Sequence, residues 1–127
     1  MRNSNDIASA LWELLHSEGR SASAHVLPAT LGAALPHVHI ERTGGFTEQL
    51  VIESNQVDFD VYADDMADAM DEAHALCGWV RSLSGQDVGT PCYGSEVTTL
   101  PYANPDPRHP TLARATFKAS ITTRVDD

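Results

Sequence analysis

Apolar residues recur at helical spacing in two segments of the chain, and each segment is preceded by a helix-start signal. The first segment covers about residues 6–18, and Asp6 or Ser4 is placed to cap its start. The second covers about residues 66–83, and Asp65 stands before it as a candidate cap. We therefore predict two amphipathic helices, each of which buries one apolar face.

Alternating apolar and polar residues predict strands in the rest of the chain. The clearest strands are residues 57–62 and residues 37–42, and the double glycine at 44–45 is expected to end the latter. Residues 93–100 form a weaker alternating pattern, and residues 115–125 form a long one. The pattern thus predicts four strands.

Three further segments carry mixed signals. Residues 21–35 have no clear period and are predicted to be a connection with a turn of helix at most. Residues 45–55 contain a short apolar run and fit either a strand arm or a mobile loop. Residues 101–110 hold four prolines, so they cannot form a central strand or the interior of a helix.

The predicted order of elements is helix, strand, strand, helix, strand, strand. The simplest arrangement is an α+β fold in which a single four-stranded mixed or antiparallel sheet has two helices packed on one face. The length fits one domain, residues 1–127. The other face of the sheet would be polar and either solvated or in contact with another subunit. Its side chains are those of His37, His39, Glu41, Asp58, Asp60, Lys118 and Arg124.

The chain is acidic, with a formal net charge of −10, and residues 53–72 hold eight carboxylates without a Lys or Arg. This charge argues against general affinity for nucleic acid, which needs clustered basic residues, and against adsorption to anionic membranes. Such an acidic run is normally a solvated surface. The alternative is that it excludes or guides another polyanion.

The sequence also indicates a cellular compartment. No apolar run approaches the roughly 20 residues of a transmembrane helix, and the N-terminus lacks the apolar core of a signal peptide. Two cysteines are too few for a disulfide scaffold, and Cys77 falls on the apolar side of the second helix. We expect a buried free thiol and a cytosolic protein.

A metal site is the first chemistry to consider. His37 and His39 share one strand face, and Asp58 and Asp60 share that face if the two strands pair. These side chains could bind a divalent ion such as zinc, but spacing alone shows no convergent geometry and a solvated polar strand face is the favoured explanation. We predict no metal site, with His37 and His39 as the residues that would hold one.

Acid–base catalysis is the second chemistry to consider. Asp58, Asp60, Asp64 and Asp65 lie close together in the sequence, as paired catalytic carboxylates would. They fall at a strand end and a helix start, where capping and solvation already explain them. We predict no catalytic residues and no cofactor.

Two tryptophans lie at the margins of the predicted apolar faces. Trp12 is at the edge of the first helix stripe, and Trp79 is off the centre of the second. A Trp in this position is either a lid on the core or an anchor in a subunit contact, where Trp is enriched.

The order of these segments resembles that of the tail terminator (tail completion) proteins of long-tailed bacteriophages, especially actinobacterial phages. Residues 35–45 (LPHVHIERTGG) look like the proline, alternating strand, arginine and double glycine of this family. Residues 56–63 (QVDFDVYA) look like its second strand, and the Ala-rich helix from Met66 follows directly. Residues 104–110 look like the Pro- and Asp-rich segment that precedes a last strand ending near Arg124. The resemblance covers about 90 residues.

The resemblance implies a structural virion protein and not an enzyme. Such proteins form a six-membered ring on the head-proximal end of the tail tube, where they stop tube polymerisation. The ring offers a joining surface to head completion proteins, and the tape-measure protein and the genomic DNA lie along its axis without specific binding. It is assembled in the host cytoplasm.

A closed ring needs two different contact surfaces on each subunit. On this interpretation, the candidate ring or tube contacts are Trp12, Arg42, Trp79 and Arg124. The carboxylates of Asp58, Asp60 and Asp64 are candidates for an acidic bore that repels DNA phosphates within about 8 Å at physiological salt. The alternatives are another head–tail connector or neck protein, a small metal- or ligand-binding module, and an enzyme of unfamiliar type.

Overall fold

A computed structural model describes residues 6–49 and 51–125 of the chain. The described residues form two α-helices, a short 3-10 helix and five strands. In chain order the elements are α1 (Ile7–Ser17), β1 (Ser21–Ala24), the 3-10 helix (Leu31–Ala33), β2 (His37–Gln49), β3 (Ile52–Ala63), α2 (Met66–Arg81), β4 (Cys92–Ala103) and β5 (Ala113–Arg124).

The strands form one sheet in the order β1-β2-β3-β5-β4. β1 runs parallel to β2, and every other neighbouring pair is antiparallel. The predicted α+β class, with one sheet and two helices, is confirmed. The predicted number of four strands is wrong by one, because the segment expected to be a connection contains β1.

β1 has no hydrophobic pattern that could reveal it. Its residues alternate between serine and alanine, and all four are half-buried. Ala22 and Ala24 pack against the core beside α1, while Ser21 and Ser23 lie on the other face of the sheet, opposite His37 and His39. One face of this strand packs on α1, and its serines on the other face hydrogen-bond the histidines of β2.

The sequence predicted that the double glycine ends β2. In the structure it lies within that strand. The pairing with β3 shifts register between Arg42 and Gly44 and then continues to Gln49. A Cβ atom at Gly45 would collide with the carbonyl oxygen of Ser54, and Gly45 has φ +145°. The glycine therefore permits a bulged strand to continue where another residue would be excluded. Residues 45–55 are thus mostly strand, which answers the question left open by their sequence.

The core lies between the helices and one face of the sheet. α1 packs on β1 and β2, and α2 packs on β3, β4 and β5. Phe59 of β3 and Phe117 of β5 stack at the centre, with ring centroids 4.7 Å apart and planes nearly parallel. Both helices begin where predicted: the Asp6 carboxylate accepts a hydrogen bond from Ser9 N–H, and that of Asp65 accepts one from Asp68 N–H. The candidate cap Ser4 lies outside the described residues.

The buried free thiol predicted for Cys77 is confirmed, and the second cysteine has the same environment. Cys77 of α2 and Cys92 of β4 are both buried, and both are free thiols. Burial raises the pKa of each thiol. Among the described residues, none of the helices is long and apolar enough to cross a membrane.

Candidate functional site

We call the face of the sheet that lies opposite the helices the open face, and the polar residues predicted for a functional role concentrate there. His37 and His39 of β2 belong to this face, but each is only 4 % exposed, so the expectation of a solvated strand face is wrong for them. Their four ring nitrogens lie within 3.0 Å of a serine hydroxyl or a glutamate oxygen. The unexpected strand β1 supplies both serines.

The histidine pair does not have the geometry of a metal centre. Across residues 6–49 and 51–125, no group of three or more His, Cys, Asp or Glu side chains could hold a metal ion. Burial, and then the neighbouring His39, lower the pKa of His37 to about 4. Hydrogen bonds with two hydroxyls at His37, and with one hydroxyl and the Glu41 carboxylate at His39, explain both residues without an ion.

Two of the acidic side chains of β3 are paired on the open face. Asp58 accepts hydrogen bonds from Lys118 Nζ at 3.1 and 3.3 Å, and the pairing raises the pKa of this lysine. Asp60 accepts a 2.7 Å hydrogen bond from the Thr116 hydroxyl. These two carboxylates of β3 therefore have compensating partners on β5, which lies far away in the sequence.

Asp64 lies apart from the other two carboxylates predicted for an acidic surface. It is exposed just before α2 and lines a cavity of about 340 Å³. Asp68, Asp71 and Glu72 of α2 line the same cavity, and Glu72 forms an ion pair with Arg20. The acidic segment of the sequence thus divides between the open face and the start of α2.

A second polar cluster closes one end of the open face. Asp106, in the proline-rich segment between β4 and β5, is 3 % exposed. Its carboxylate accepts hydrogen bonds from the Tyr62 hydroxyl at 2.9 Å, from the His109 ring at 3.0 Å and from the backbone N–H of Arg108 at 3.0 Å. The guanidinium of Arg114 lies 3.6 Å from the same carboxylate.

The electrostatics of this cluster favour a charged Asp106. Burial alone would raise the pKa of its carboxyl, but the hydrogen bonds from Arg108 N–H, His109 and Tyr62, together with the charge of Arg114, hold the pKa well below its usual range. Sequence reasoning missed this cluster. The available signal was an aspartate between two prolines, which suits a fixed turn whose side chain bonds its own backbone.

The two tryptophans contact their own chain with both ring and N–H. Trp12 Nε1 donates a 2.8 Å hydrogen bond to the carbonyl of Ala22, which ties α1 to β1. Trp79 Nε1 donates a 2.9 Å hydrogen bond to Glu18, which ties α2 to the end of α1. Both rings pack partly buried against the core. These contacts are those of a lid on the core.

The two arginines predicted for contacts lie on different faces of the sheet. Arg42 lies opposite Val57, on the helix side, and its Nε donates a 2.9 Å hydrogen bond to the buried Asn55. Arg124 lies at the end of β5 opposite Ile52, on the open face. The four predicted contact residues are therefore not gathered in one patch.

In the described part of the chain, the outer sides of β1 and β4 and part of the outer side of β2 have no strand partner, and we call the stretches on β4 and β2 the free edges. One is the outer side of β4 beyond Cys92, whose backbone bonds Gly85 and Gln86, and the other is the outer side of β2 beyond Ile40, where its pairing with β1 ends. Large apolar side chains are exposed on both. β4 carries Tyr93, Leu100 and Tyr102, and β2 carries Phe46. Sequence reasoning did not single out these residues, because an edge becomes visible only once the strand order is known.

Comparisons with known proteins add no assignment. The sequence matches no protein-family model, and none of the curated proteins is similar to it.

Proposed function

We propose that this chain is a structural subunit of a bacteriophage tail that assembles into a ring on the head-proximal end of the tail tube. The ring ends tube polymerisation and provides the surface that joins tail to head. The proposal rests on the resemblance of residues 35–124 to tail terminator proteins. The feature of the fold that supports it best is the pair of free edges, which lie at different strands and carry different side chains.

Free edges of this kind suit a ring because ring contacts are heterologous. Each subunit must present one surface to one neighbour and a different surface to the other. Unpaired strands with exposed apolar side chains mark interaction sites, since backbone groups and side chains can both be covered by a partner. Leu100 on β4 is 63 % exposed and Phe46 on β2 is 58 % exposed. These two positions are the proposed centres of the two contacts.

The charge of the subunit fits a ring through which DNA passes. At −10 per chain, a ring is strongly negative, and exposed carboxylates near its axis repel phosphates. Asp64 is exposed, whereas Asp58 and Asp60 are already bonded to Lys118 and Thr116. Of the three acids proposed for the bore, Asp64 is therefore best able to act on DNA. Tail tube protein, head completion protein and tape-measure protein are the proposed partners.

Electron microscopy of tails assembled with and without this protein tests the proposal. We expect tubes of defined length with a ring at one end when the protein is present, and tubes of uncontrolled length when it is absent. Tubes of normal length in both preparations would contradict the capping role. Normal tubes that fail to join heads would assign the protein to a connector or neck position instead.

A matched set of variants tests the contacts. Leu100→Asp and Phe46→Asp each place a charge on one free edge, and we expect both to abolish ring formation while leaving the subunit folded. Val26→Asp is the control, because Val26 is exposed but lies outside both edges. Particle mass measured in the presence of tail tube separates the outcomes. Equal assembly of all three variants would exclude the free edges as ring contacts.

A further inference from the structure

Five side chains form a continuous line of hydrogen bonds across β1 and β2, which we call the Ser–His chain. Ser21 Oγ lies 2.6 Å from Nδ1 of His37, and Nε2 of that ring lies 2.8 Å from Ser23 Oγ. Ser23 Oγ also lies 2.7 Å from Nδ1 of His39, whose Nε2 lies 3.0 Å from an oxygen of Glu41. Each histidine therefore uses both ring nitrogens, and Ser23 connects the two rings.

The hydrogens of the Ser–His chain follow from its end group. An ionised Glu41 can only accept, so His39 carries its hydrogen on Nε2 and accepts from Ser23 on Nδ1. Ser23 Oγ then accepts a hydrogen bond from Nε2–H of His37, and Nδ1 of His37 accepts one from the Ser21 hydroxyl. With both rings neutral, every hydrogen bond points toward Glu41, and every ring nitrogen is satisfied.

The two ends of the Ser–His chain reach different cavities. Ser21 and His37 line a cavity of about 470 Å³ on one side, and His39 and Glu41 line one of about 300 Å³ on the other. The two ends of the Ser–His chain therefore face different charged and titratable groups. At the His37 end they are His16, Arg20, Tyr62 and Glu72, which is paired with Arg20; at the His39 end they are His25, Asp60, Arg108 and Arg114.

We propose that the Ser–His chain is a binding site for a single proton that both histidines share through Ser23, and that a second proton releases β1 from the edge of the sheet. The inference does not depend on the proposed role in a phage tail. It rests on the unbroken line of contacts, on the burial of both rings and on the shortness of β1.

The first proton can enter without breaking a contact. It adds to Ser21 while the hydrogen of Ser21 passes to Nδ1 of His37. The Nε2 hydrogen of His37 passes to Ser23, and the former hydrogen of Ser23 passes to Nδ1 of His39. The chain then holds one more proton than before, and the positive charge lies on His39. That end suits the charge because Glu41 hydrogen-bonds the ring and Asp60 is its cross-strand neighbour.

The second proton cannot be accommodated in this way. With two protons added, both rings would direct N–H donors at the Ser23 hydroxyl. The hydrogen of that hydroxyl would then have no acceptor within the Ser–His chain. Two positive rings would also flank one hydroxyl, and no carboxylate lines the cavity that the His37 ring lines. β1 pairs with β2 over four residues only, Ser21–Ala24, and the Trp12 hydrogen bond ties it to α1 rather than to β2. Loss of the Ser23 contacts should therefore detach β1 and expose the edge of β2.

Nuclear magnetic resonance of the imidazole nitrogens tests the shared proton. In the wild type we expect His37 and His39 to titrate as a coupled pair with two separate macroscopic steps, and each ring to respond to both. In Ser23→Ala the hydrogen-bonded link is removed, and the two steps should move closer together, because only the direct repulsion between the rings still couples them. Ser84→Ala, in an exposed loop, is the matched control. Identical curves in the wild type and Ser23→Ala would overturn the proposal.

Glu41→Gln provides a second test, because this side chain is 53 % exposed and its replacement keeps the shape of the site. The first protonation step should move to lower pH once the carboxylate is lost. An unchanged first step would contradict the assignment of the shared charge to His39.

Amide hydrogen exchange tests the release of β1. After correction for intrinsic rates, we expect the amides of β1 to exchange at least about tenfold faster below the second step than at neutral pH, while those of β5 remain protected. The His37→Gln protein lacks one of the two rings and cannot take up the second proton, so the acceleration of β1 exchange should vanish. Equal acceleration in β1 and β5, or acceleration that persists in His37→Gln, would overturn the coupling of the second proton to β1.

Discussion

The hydroxyl of Tyr62 donates a hydrogen bond to Asp106, and this contact fixes the proline-rich segment against the sheet. Tyr62 is the last large residue of β3 on the open face, and the segment that carries Asp106 crosses over it between β4 and β5. Both side chains are buried, so neither can exchange its partner for water. Arg114 of β5 completes the arrangement, with its guanidinium 5.8 Å from the centre of the Tyr62 ring.

Tyr62→Phe should destabilise the fold by about 1–2 kcal/mol, because it removes one hydrogen bond to a charged, buried carboxylate. Asp106→Ala should cost more, about 3 kcal/mol, since it leaves several buried donors without their acceptor. Urea denaturation gives both values. Asp71→Asn, at an exposed position of α2, is the control and should change stability little. A Tyr62→Phe protein as stable as the wild type would show that the contact does not hold the segment.

Acid should destabilise the protein in two successive ranges of pH. Burial, and then the charge of His39, lower the pKa of His37 from 6.5 to about 4, so between these values the unfolded chain binds a proton that the folded chain does not. Stability is therefore lost as the pH falls through this range, by about 3 kcal/mol at most. The pKa of Asp106 is also lowered, so its contribution is present above its ordinary pKa of 3.8 and is lost below it.

The free energy of unfolding, measured at pH steps from about 7.5 to 3, checks both ranges. His37→Gln should have a flatter profile in the upper range, and Asp106→Asn a flatter profile in the lower one. Profiles that keep the wild-type slope in both variants would assign the acid sensitivity to other groups.

The helices and the inner strands could be predicted from the sequence because their signals are local. Asp65 precedes an apolar stripe of helical period, and Val57, Phe59 and Val61 alternate with carboxylates, so each element specifies its own type and buried face. The central pairing of β2, β3 and β5 buries these alternating positions together.

The remaining features depend on contacts between distant residues, which no local pattern encodes. β1 is held by pairing with His37–Ile40 and by the Ser–His chain, so its own Ser and Ala residues carry no strand signal. The partners of Asp58 and Asp60 lie 60 and 56 residues away in the sequence. The acidic strand therefore looks unpaired until its neighbour β5 is known.

Gly45 and Gly78 should respond oppositely to replacement by alanine. At Gly45, φ is +145° and a Cβ would meet the carbonyl of Ser54, so Gly45→Ala should cost more than about 2 kcal/mol. At Gly78, on an exposed turn of α2, nothing lies within contact distance of an added Cβ, so Gly78→Ala should stabilise the protein by up to about 1 kcal/mol. Thermal unfolding of both variants measures the difference. Similar shifts in the two would contradict the close approach of β2 and β3.

A variant at Trp79 can show whether this side chain covers the core of its own subunit or anchors a contact between subunits. Its ring is partly buried in its own chain, and its N–H is bonded to Glu18 on the exposed end of α1. Trp79→Phe keeps most of the ring packing and removes this hydrogen bond, so it should cost at most about 1 kcal/mol. If Trp79 only covers the core, Trp79→Phe should also leave assembly on tail tubes unchanged. Leu100→Asp, by contrast, should abolish assembly. Measurement of unfolding and particle mass on the same variants separates the two roles. If Trp79→Phe prevents assembly while the subunit stays folded, the ring contact includes the helices as well as the free edges.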